Sequence, residues 1–266
     1  MKIIVLASGS KGNATYIETE SAKILIDAGI SYKQLKTRFQ ERHLTLDKLD
    51  AILVTHEHSD HIGHLATVAK STKATVYIHE KSFNTLSKID QMQFKYCFIE
   101  ADTIYKIKDL NFVPIIASHD AKNTFGYLFK TEKHTACYLT DTGVVNKKYL
   151  PILKTIEFLI IESNHDVDML LNSNRIFTLK QRILSPYGHL SNVECATLLK
   201  DVVSSKTKHV ILAHLSEDCN TPEAAYNASY EICKAKNVKL SIANQHEATE
   251  LFDLETAWLQ FWPLVK

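Results

Sequence analysis

Short apolar runs recur along the chain, and a histidine or a carboxylate follows each of them. The run at residues 51–54 is aliphatic and partly β-branched, a composition typical of a buried strand. Similar runs at 24–26, 112–118, 136–140, 159–161 and 209–213 are followed by Asp27, His119, Asp141, Glu162 and His214. Because polar groups at the ends of several strands can share one rim of a scaffold, the pattern predicts a single constellation there.

The run at 51–54 leads into an H-x-H-x-D-H motif made by His56, His58, Asp60 and His61. A helix is expected from near Ile62. His56 and His58 can point to one ion, while Asp60 and His61 face a second. Imidazole and carboxylate together suit borderline divalent metals, chiefly zinc, with manganese or iron as alternatives. A surface histidine cluster is the competing interpretation, and the position between a strand and a helix disfavours it.

The ordered set of motif residues resembles the five motifs of the metallo-β-lactamase superfamily and spans nearly the whole chain. The resemblance implies an α/β (α+β) chain folded as a four-layer αββα sandwich, with a single domain over residues 1–266. It also implies roles for the individual residues. One metal would be held by His56, His58 and His119, a second by Asp60, His61 and His214, and Asp141 would bridge them. Asp27 would fix a ligand imidazole from behind.

The C-terminal third resembles RNase Z and its smaller relatives, in which an extra histidine precedes a helix and the last metal ligand follows the next strand. His189 is that histidine here, and Ser191 with Glu194 forms a capping box that predicts a helix start just after it. The resemblance makes Glu162 the acidic partner of His189. The competing interpretation of His189 is a histidine that hydrogen-bonds backbone at the start of a helix.

A narrower resemblance is to the YycJ/WalJ-like group of small bacterial proteins, usually described as exonuclease-like. The stretches at residues 8–14, 162–166, 182–185 and 188–192 carry it. Between Asp141 and His214 there is too little chain for the inserted cap of the β-CASP nucleases. No segment corresponds to the flexible arm with which RNase Z grips tRNA. The resemblance to RNase Z therefore implies its chemistry and not its substrate.

Composition is that of a globular enzyme, with 266 residues of which 45% are hydrophobic. No linker divides the chain, and no run approaches the roughly 20 apolar residues that cross a bilayer. The apolar N-terminal run is too short for a signal peptide. Five cysteines at wide, unpatterned spacings argue against a disulfide framework and predict a reducing, cytoplasmic location.

The formal net charge of +1 is not that of a dedicated nucleic-acid binder, so any anion contact must be local. Four basic residues share one predicted helix and are interpreted as a solvated face; they are Lys33, Lys36, Arg38 and Arg42. A glycine- and serine-rich turn at residues 8–13 can present amides and hydroxyls to an anion. The expected substrate contacts are Ser10, Asn13, Lys147 and Lys148, with His165 as a weaker candidate.

These features predict a dinuclear metal-dependent hydrolase, a phosphodiesterase or nuclease of the 5′-3′ exonuclease type. A hydroxide that bridges the metals would attack the phosphodiester of a nucleic acid or short oligonucleotide. His189 would protonate the leaving oxygen, and Asp60 would also orient the attacking water. The first alternative is a small-molecule hydrolase, either a cyclic phosphodiesterase, a thioesterase or a lactonase. The second is a non-catalytic regulatory module, which the full set of ligands disfavours. The oligomeric state stays open.

Overall fold

A computed structural model describes residues 1–46 and 48–255 of the chain. Residues 256–266, the last part of the predicted 1–266 domain, lie outside the described residues. The described strands are β1 (Lys2–Ala7), β2 (Ala14–Glu18), β3 (Lys23–Ile26), β4 (Ala51–Leu53), β5 (Thr75–Ile78), β6 (Tyr96–Phe98), β7 (Tyr105–Ile107), β8 (Leu110–Ile116), β9 (Phe125–Lys130), β10 (Thr135–Leu139), β11 (Phe158–Glu162), β12 (His209–Ala213), β13 (Lys239–Ile242) and β14 (Phe252–Asp253).

The longest helices lie in the C-terminal half, and several short ones are confined to loops. The described helices are α1 (Tyr32–Glu41), α2 (Ser59–Ile62), α3 (Leu65–Thr72), α4 (Glu80–Phe83), α5 (Lys88–Gln91), α6 (Leu150–Leu153), α7 (Val167–Asn172), α8 (Phe177–Ile183), α9 (Asn192–Val202) and α10 (Pro222–Ala235). A 3₁₀ turn at Lys147–Tyr149 precedes α6. The predicted capping box is confirmed, because the Ser191 hydroxyl accepts from the Glu194 amide at 3.2 Å and α9 begins at the next residue.

The strands form two seven-stranded sheets of matching design. One sheet has the order β14-β1-β2-β3-β4-β5-β6, and the other has β7-β8-β9-β10-β11-β12-β13. In each sheet, neighbours up to the fourth strand run antiparallel, and the last three pairings are parallel. Parallel strands share one carboxyl edge, so the residues that follow β3, β4, β10, β11 and β12 are brought to the rims of the sheets.

Side chains that alternate along each strand divide the apolar interior into three layers. Ile3 of β1 and Phe158 of β11 are buried in the cluster between the two sheets. Ile4 faces the other way and packs with Phe39 of α1. Leu159 likewise belongs to a cluster under α6, α9 and α10. Helices therefore cover the outer face of both sheets, and the predicted αββα sandwich is confirmed.

The interpretation of the first basic helix as a solvated face is wrong for two of its residues. Lys33 and Lys36 are exposed, but Arg38 is buried and donates to the carbonyl oxygens of Leu6 and Gln245. Arg42 donates through Nε to the Thr249 carbonyl oxygen at 2.8 Å. These guanidinium groups tie α1 to the segment at residues 244–249, where carbonyls that no strand pairs need donors.

None of the helices in residues 1–46 and 48–255 combines the length and the apolar character that crossing a membrane requires.

His209, the first residue of β12, generates a prediction about acid stability. Burial, together with the nearby Lys239, lowers the pKa of His209 to about 3. In the unfolded chain the pKa of a histidine is about 6.5, so the unfolded state takes up this proton first as the pH falls. His209 should therefore reduce stability by about 2 kcal/mol between pH 7.5 and pH 5.0. In metal-free protein, His209→Gln should remove that part of the loss.

Urea unfolding in chelator at the two pH values checks this prediction. His246→Gln is the matched control, since His246 is an exposed histidine at the surface. The control should follow the wild type. Equal pH dependence of the His209 variant and the wild type would contradict the assignment.

Candidate metal centre

Three strands end at a residue with a left-handed backbone, and each of these residues belongs to the predicted site. Asp27 follows β3 with φ of 60°, Asp141 follows β10 with φ of 55°, and His214 follows β12 with φ of 57°. Positive φ is uncommon outside glycine and is found where the surrounding structure demands it.

The helix of the H-x-H-x-D-H motif begins at Ser59, earlier than the expected Ile62, so Asp60 and His61 lie in its first turn.

The first cluster consists of His56, His58 and His119. One ring nitrogen of each lies within 4.8 Å of one ring nitrogen of each of the other two. The ring centroids of His56 and His58 are 4.6 Å apart, and each is 5.1 Å from that of His119. His119 is oriented from behind, because its Nδ1 lies 3.2 Å from the Gly188 carbonyl oxygen. This contact leaves Nε2 of His119 to face the cluster.

The second cluster consists of Asp60, His61 and His214, and Asp141 lies between the two clusters. The Asp141 carboxylate is 3.4 Å from Nε2 of His61 and 3.5 Å from Nε2 of His214. Its Oδ1 is also 3.9 Å from Nε2 of His119 in the first cluster. The sequence motifs, although far apart along the chain, thus meet around one carboxylate.

Buried polar atoms in this region support metal binding independently of the motif. Nε2 of His56, Nε2 of His214 and Oδ2 of Asp141 are buried and make no hydrogen bond within the described residues. Unsatisfied buried polar atoms are costly and require a partner. Imidazole nitrogens and carboxylate oxygens without thiolate are donors that suit zinc, manganese and iron. The residues present therefore fit a divalent metal centre.

Two buried carboxylates orient the histidines from outside the clusters. Asp27 accepts from the Thr55 amide at 2.8 Å and holds Nδ1 of His61 at 2.7 Å. Glu162 contacts Nδ1 of His214 at 2.9 Å and Nδ1 of His189 at 2.7 Å. Asp27 lies behind the ring of His61, the kind of position expected of it. The sequence suggested that Glu162 contacts His189, and the structure adds His214. Such partners fix the tautomer and the direction of a ligand ring.

Close backbone contacts fix the loop of the H-x-H-x-D-H motif against two other segments. One segment precedes β2, and the other follows β3. The Asp60 carbonyl oxygen accepts from the Asn13 amide at 2.7 Å, and a Cβ on Gly29 would lie 1.7 Å from that same oxygen. Asn13 is fully buried, and its side-chain nitrogen is 3.1 Å from Nε2 of His61. Asn13 therefore braces the site from within, which corrects the expectation that it contacts substrate.

The clusters differ in charge when no metal is bound. Burial favours the neutral imidazole, but Asp141 and its neighbouring carboxylates raise the pKa of His61 well above its ordinary value. The same balance raises the pKa of His214 to about 10. Burial and the other imidazoles hold the pKa of His56 well below its usual range. His56 is thus neutral at pH 7, whereas His61 and His214 carry protons that a bound cation would release.

A pocket of about 190 Å³ opens beside the two clusters. Its lining residues are Ser10, His119, Asp120, Asn164, Arg175, Leu179, Arg182, Ile183, Gly188, His189, His214, Leu215 and Ser216. The lining thus combines histidines of the site with residues of the segment that contains α7 and α8. Ser10 lines the pocket, and its contact with substrate stays a prediction.

The other expected substrate contacts lie elsewhere. Lys147 and Lys148 do not line the pocket, and Lys148 pairs with Asp102 at 2.6 Å across a distant turn. His165 is buried within the fold, and neither of its ring nitrogens has a hydrogen-bond partner among the described residues. The expected rim position of the two lysines is therefore corrected, because they lie in the 3₁₀ turn before α6, where Lys148 pairs with Asp102.

Two arginines of the pocket were missed by sequence reasoning. Arg182 falls in the stretch at residues 182–185 that supported the family resemblance, but nothing marked it as a site residue. Arg175 lies between α7 and α8 and carried no local signal at all. Only the folding of this segment over the site brings the two guanidinium groups to the histidines.

An αββα sandwich whose sheet rims combine histidines and carboxylates around a pocket defines a class of metal-dependent hydrolases. Within this class the chain belongs to the β-lactamase superfamily, whose "Beta-lactamase superfamily domain" model matches residues 22–215. The chain is 35% identical over 257 residues to the "Exodeoxyribonuclease YycJ" of Bacillus anthracis, covering 94% of each protein. It is 37% identical over 231 residues to the "Exodeoxyribonuclease WalJ" of Streptococcus pneumoniae, covering 85% of each.

Comparison of folds gives a consistent result. The crystal structure of the metallo-β-lactamase fold protein YhfI from Bacillus subtilis superposes with a TM-score of 0.71. The match covers 94% of this chain and 99% of YhfI at 18% identity, so it shows the shared fold alone. The resemblance to the metallo-β-lactamase superfamily and to the YycJ/WalJ group is confirmed.

The cluster geometry generates a prediction about metal content. Protein purified without chelator and reloaded with Zn²⁺ should bind two ions per chain, because two sets of donors share Asp141. His58→Ala and Asp141→Asn should each lower the occupancy, which elemental analysis after dialysis measures. The control is His79→Ala: His79 also follows a strand of the first sheet, β5, but belongs to neither cluster. Saturation at one ion or none, or equal losses in the control, would argue against a dinuclear centre.

Proposed function

We propose that the protein is a dinuclear metal-dependent phosphodiesterase that removes nucleotides from nucleic-acid ends as a 5′-3′ exonuclease-type enzyme. The observation that carries the proposal is a histidine outside both clusters, His189, which Glu162 holds at 2.7 Å in the same pocket. A metal centre needs no such histidine for its own coordination, whereas hydrolysis of a phosphodiester with a poor leaving group needs a proton donor.

The clusters support the two ligand sets that the sequence suggested. His56, His58 and His119 would hold one ion, Asp60, His61 and His214 the other, and Asp141 both. Zn²⁺ is favoured by the nitrogen-rich donor set, with Mn²⁺ or Fe²⁺ as alternatives. When bound, such a pair supplies an acidified water near neutral pH and positive charge for the phosphate oxygens.

The remaining chemistry falls to side chains of the pocket. Nδ1 of His189 is committed to the Glu162 carboxylate, so Nε2 is the atom that can hold a proton for the departing oxygen. Glu162 is fully buried and accepts the Thr142 amide at 2.9 Å, which fixes the direction of the imidazole. Asp60 keeps a side-chain exposure of 21%, and in this proposal it both binds metal and orients the attacking water.

Three observations support a nucleic-acid substrate over a neutral ester. Relatives that match nearly the whole chain are exodeoxyribonucleases by name. The pocket contains Arg175 and Arg182, and Ser10 adds a hydroxyl. The pocket of about 190 Å³ also opens beside the clusters, so a phosphate that these groups hold would lie next to the metals. The five cysteines are unpaired, which supports action in a reducing cytoplasm.

A substrate panel tests the proposal. End-labelled single- and double-stranded DNA and RNA are incubated with the Zn²⁺- or Mn²⁺-loaded protein, beside bis-p-nitrophenyl phosphate, a cyclic nucleotide and a thioester. Mononucleotide release from a DNA end is the expected result, and 5′ against 3′ labels reveal the polarity. Turnover of only the cyclic nucleotide or the thioester would transfer the assignment to a small-molecule hydrolase. Metal uptake without turnover of any substrate would favour the non-catalytic alternative.

The role of His189 generates a separate prediction. His189→Ala should retain its metals and its fold while oligonucleotide turnover falls by about 10²-fold or more, the range of a lost general acid. The loss should shrink with bis-p-nitrophenyl phosphate, because p-nitrophenolate departs without a proton. Initial rates on both substrates, with metal analysis of the same samples, make the measurement.

His246→Ala serves as the control, since it removes an exposed histidine that pairs with Glu217. Equal losses on the two substrates would contradict the role of proton donor. Loss of metal from His189→Ala would instead make His189 a ligand, an arrangement that its proximity to Asp141, Glu162 and His214 also permits.

A further inference from the structure

The outer wall of the pocket is a short helical arm, defined here as residues 167–188, which contains α7 and α8. Leu170 and Ile183 of the arm pack on Cys219 in a small apolar cluster. Lys180 closes the arm on itself by donating to the carbonyl oxygens of Leu171 and Ser173 at 2.6 and 2.8 Å. The arm is thus attached to the loop after His214 and held in one shape, as a recognition element requires.

Two arginines of the arm line the pocket and pair with the two loops that carry site histidines. Arg182 pairs through Nε with Asp120, which directly follows His119. Arg175 pairs through Nη2 with Asp218 at 3.0 Å, in the loop that follows His214. These acidic partners position the guanidinium groups beside the clusters.

Both arginines keep N–H donors that their ion pairs do not engage. Each recorded contact to an aspartate engages one nitrogen, whereas a guanidinium has five N–H donors in a planar fork. The Asp218 side chain is 75% exposed, and ion pairs that are this solvated contribute little to stability. A phosphate that accepts two hydrogen bonds from one guanidinium can therefore share or replace the aspartate.

The same arm carries an unusual concentration of exposed apolar side chains. Ile176 is 70% exposed, Phe177 71% and Tyr187 63%. Proteins that bind single strands combine cations that follow the backbone with aromatic rings on which unpaired bases stack. A compact diphosphate would use the cations and leave the rings without a partner, so the combination favours a polynucleotide strand.

We infer that the arm binds an unpaired strand of nucleic acid beyond the scissile phosphate, with Arg175 and Arg182 on successive phosphates and Phe177 and Tyr187 against bases. The inference rests on the proposed function and adds its substrate form, a single-stranded end. It also accounts for a net charge of only +1, because the cations that matter are concentrated at one wall of one pocket.

Binding measurements test the arginines. Fluorescence anisotropy with a labelled, phosphorothioate-linked single-stranded oligonucleotide follows binding to the Zn²⁺-loaded protein without turnover. Arg175→Ala combined with Arg182→Ala should weaken binding about tenfold or more. The slope of log affinity against log salt should fall by about 1.4, since about 0.7 is lost for each phosphate contact on a single strand. Asp218→Asn should change affinity the other way and tighten binding a few-fold, because it releases Arg175.

The matched control removes the same charge elsewhere. Lys147→Ala combined with Lys148→Ala takes two cations from the surface outside the pocket and should leave affinity, salt slope and bis-p-nitrophenyl phosphate turnover near wild type. Phe177→Ala combined with Tyr187→Ala should weaken binding of the single strand about tenfold, and binding of a blunt duplex much less. Thermal melting of each variant confirms that the fold is retained.

The outcomes separate the inference from the proposed function. If the wild type cleaves DNA but the arginine and lysine pairs behave alike, or the aromatic pair affects duplex and single strand equally, the inference is wrong and the function stands. If the wild type neither binds nor cleaves any oligonucleotide with either metal, the proposed function fails first. Tighter binding of the blunt duplex than of the single strand would also overturn the inference.

Discussion

Burial of negative charge at the junction of the two sheets is the constraint on which the site depends. Asp27, Asp141 and Glu162 are at most 2% exposed, and isolated buried carboxylates are strongly unfavourable. Imidazole rings compensate two of these charges. Asp27 faces His61, and Glu162 contacts both His189 and His214. Asp141 has only looser contacts with histidines, and its Oδ2 lacks a hydrogen bond. The arrangement is therefore completed by a cation and not by more protein.

The matching topology of the two sheets shows how one framework produces unlike functions from equivalent places. β3 and β10 both follow an antiparallel pair and open the parallel half of their sheet. Both are followed by an aspartate with positive φ, yet Asp27 holds the back of an imidazole while Asp141 lies between the clusters. The difference comes from what faces each aspartate, since both have a similar positive φ.

The features that the sequence predicted are those that depend on residues close together in the chain. Features that depend on contacts between distant residues were not predicted. The sandwich and the strands were predictable, because alternating apolar runs reveal strands locally and the motif spacing is typical of one superfamily. The set of clustered histidines was predictable for the same reason. The burial of Arg38 was not, because the carbonyls that receive it belong to Leu6 and Gln245, which are distant in sequence.

The surroundings of the pocket were harder to predict than its metal-facing wall. Lys148 follows a site loop in sequence, yet its turn leads to Asp102 and away from the pocket. Arg175 has no motif around it and becomes a pocket residue only because the arm folds over the site. Substrate contacts of this kind depend on how elements pack, whereas ligand motifs depend on spacing within one loop. A single sequence shows the spacing within one loop directly, but it shows the packing of distant elements much less directly.

The contact between the loop at residues 8–13 and the segment near residue 245 has a consequence for biosynthesis. The Gln245 side chain accepts from the Lys11 amide at 2.8 Å and donates to the Gly12 carbonyl at 2.9 Å, while the Ser8 amide donates to Asn244. The loop that supports the motif helix thus waits for chain made more than 230 residues later. On a ribosome that elongates from the N-terminus, the pocket acquires its final form only after Gln245 has been made. A nascent chain that has made His214 but not yet Gln245 therefore has the clustered histidines without the contact that holds this loop in place.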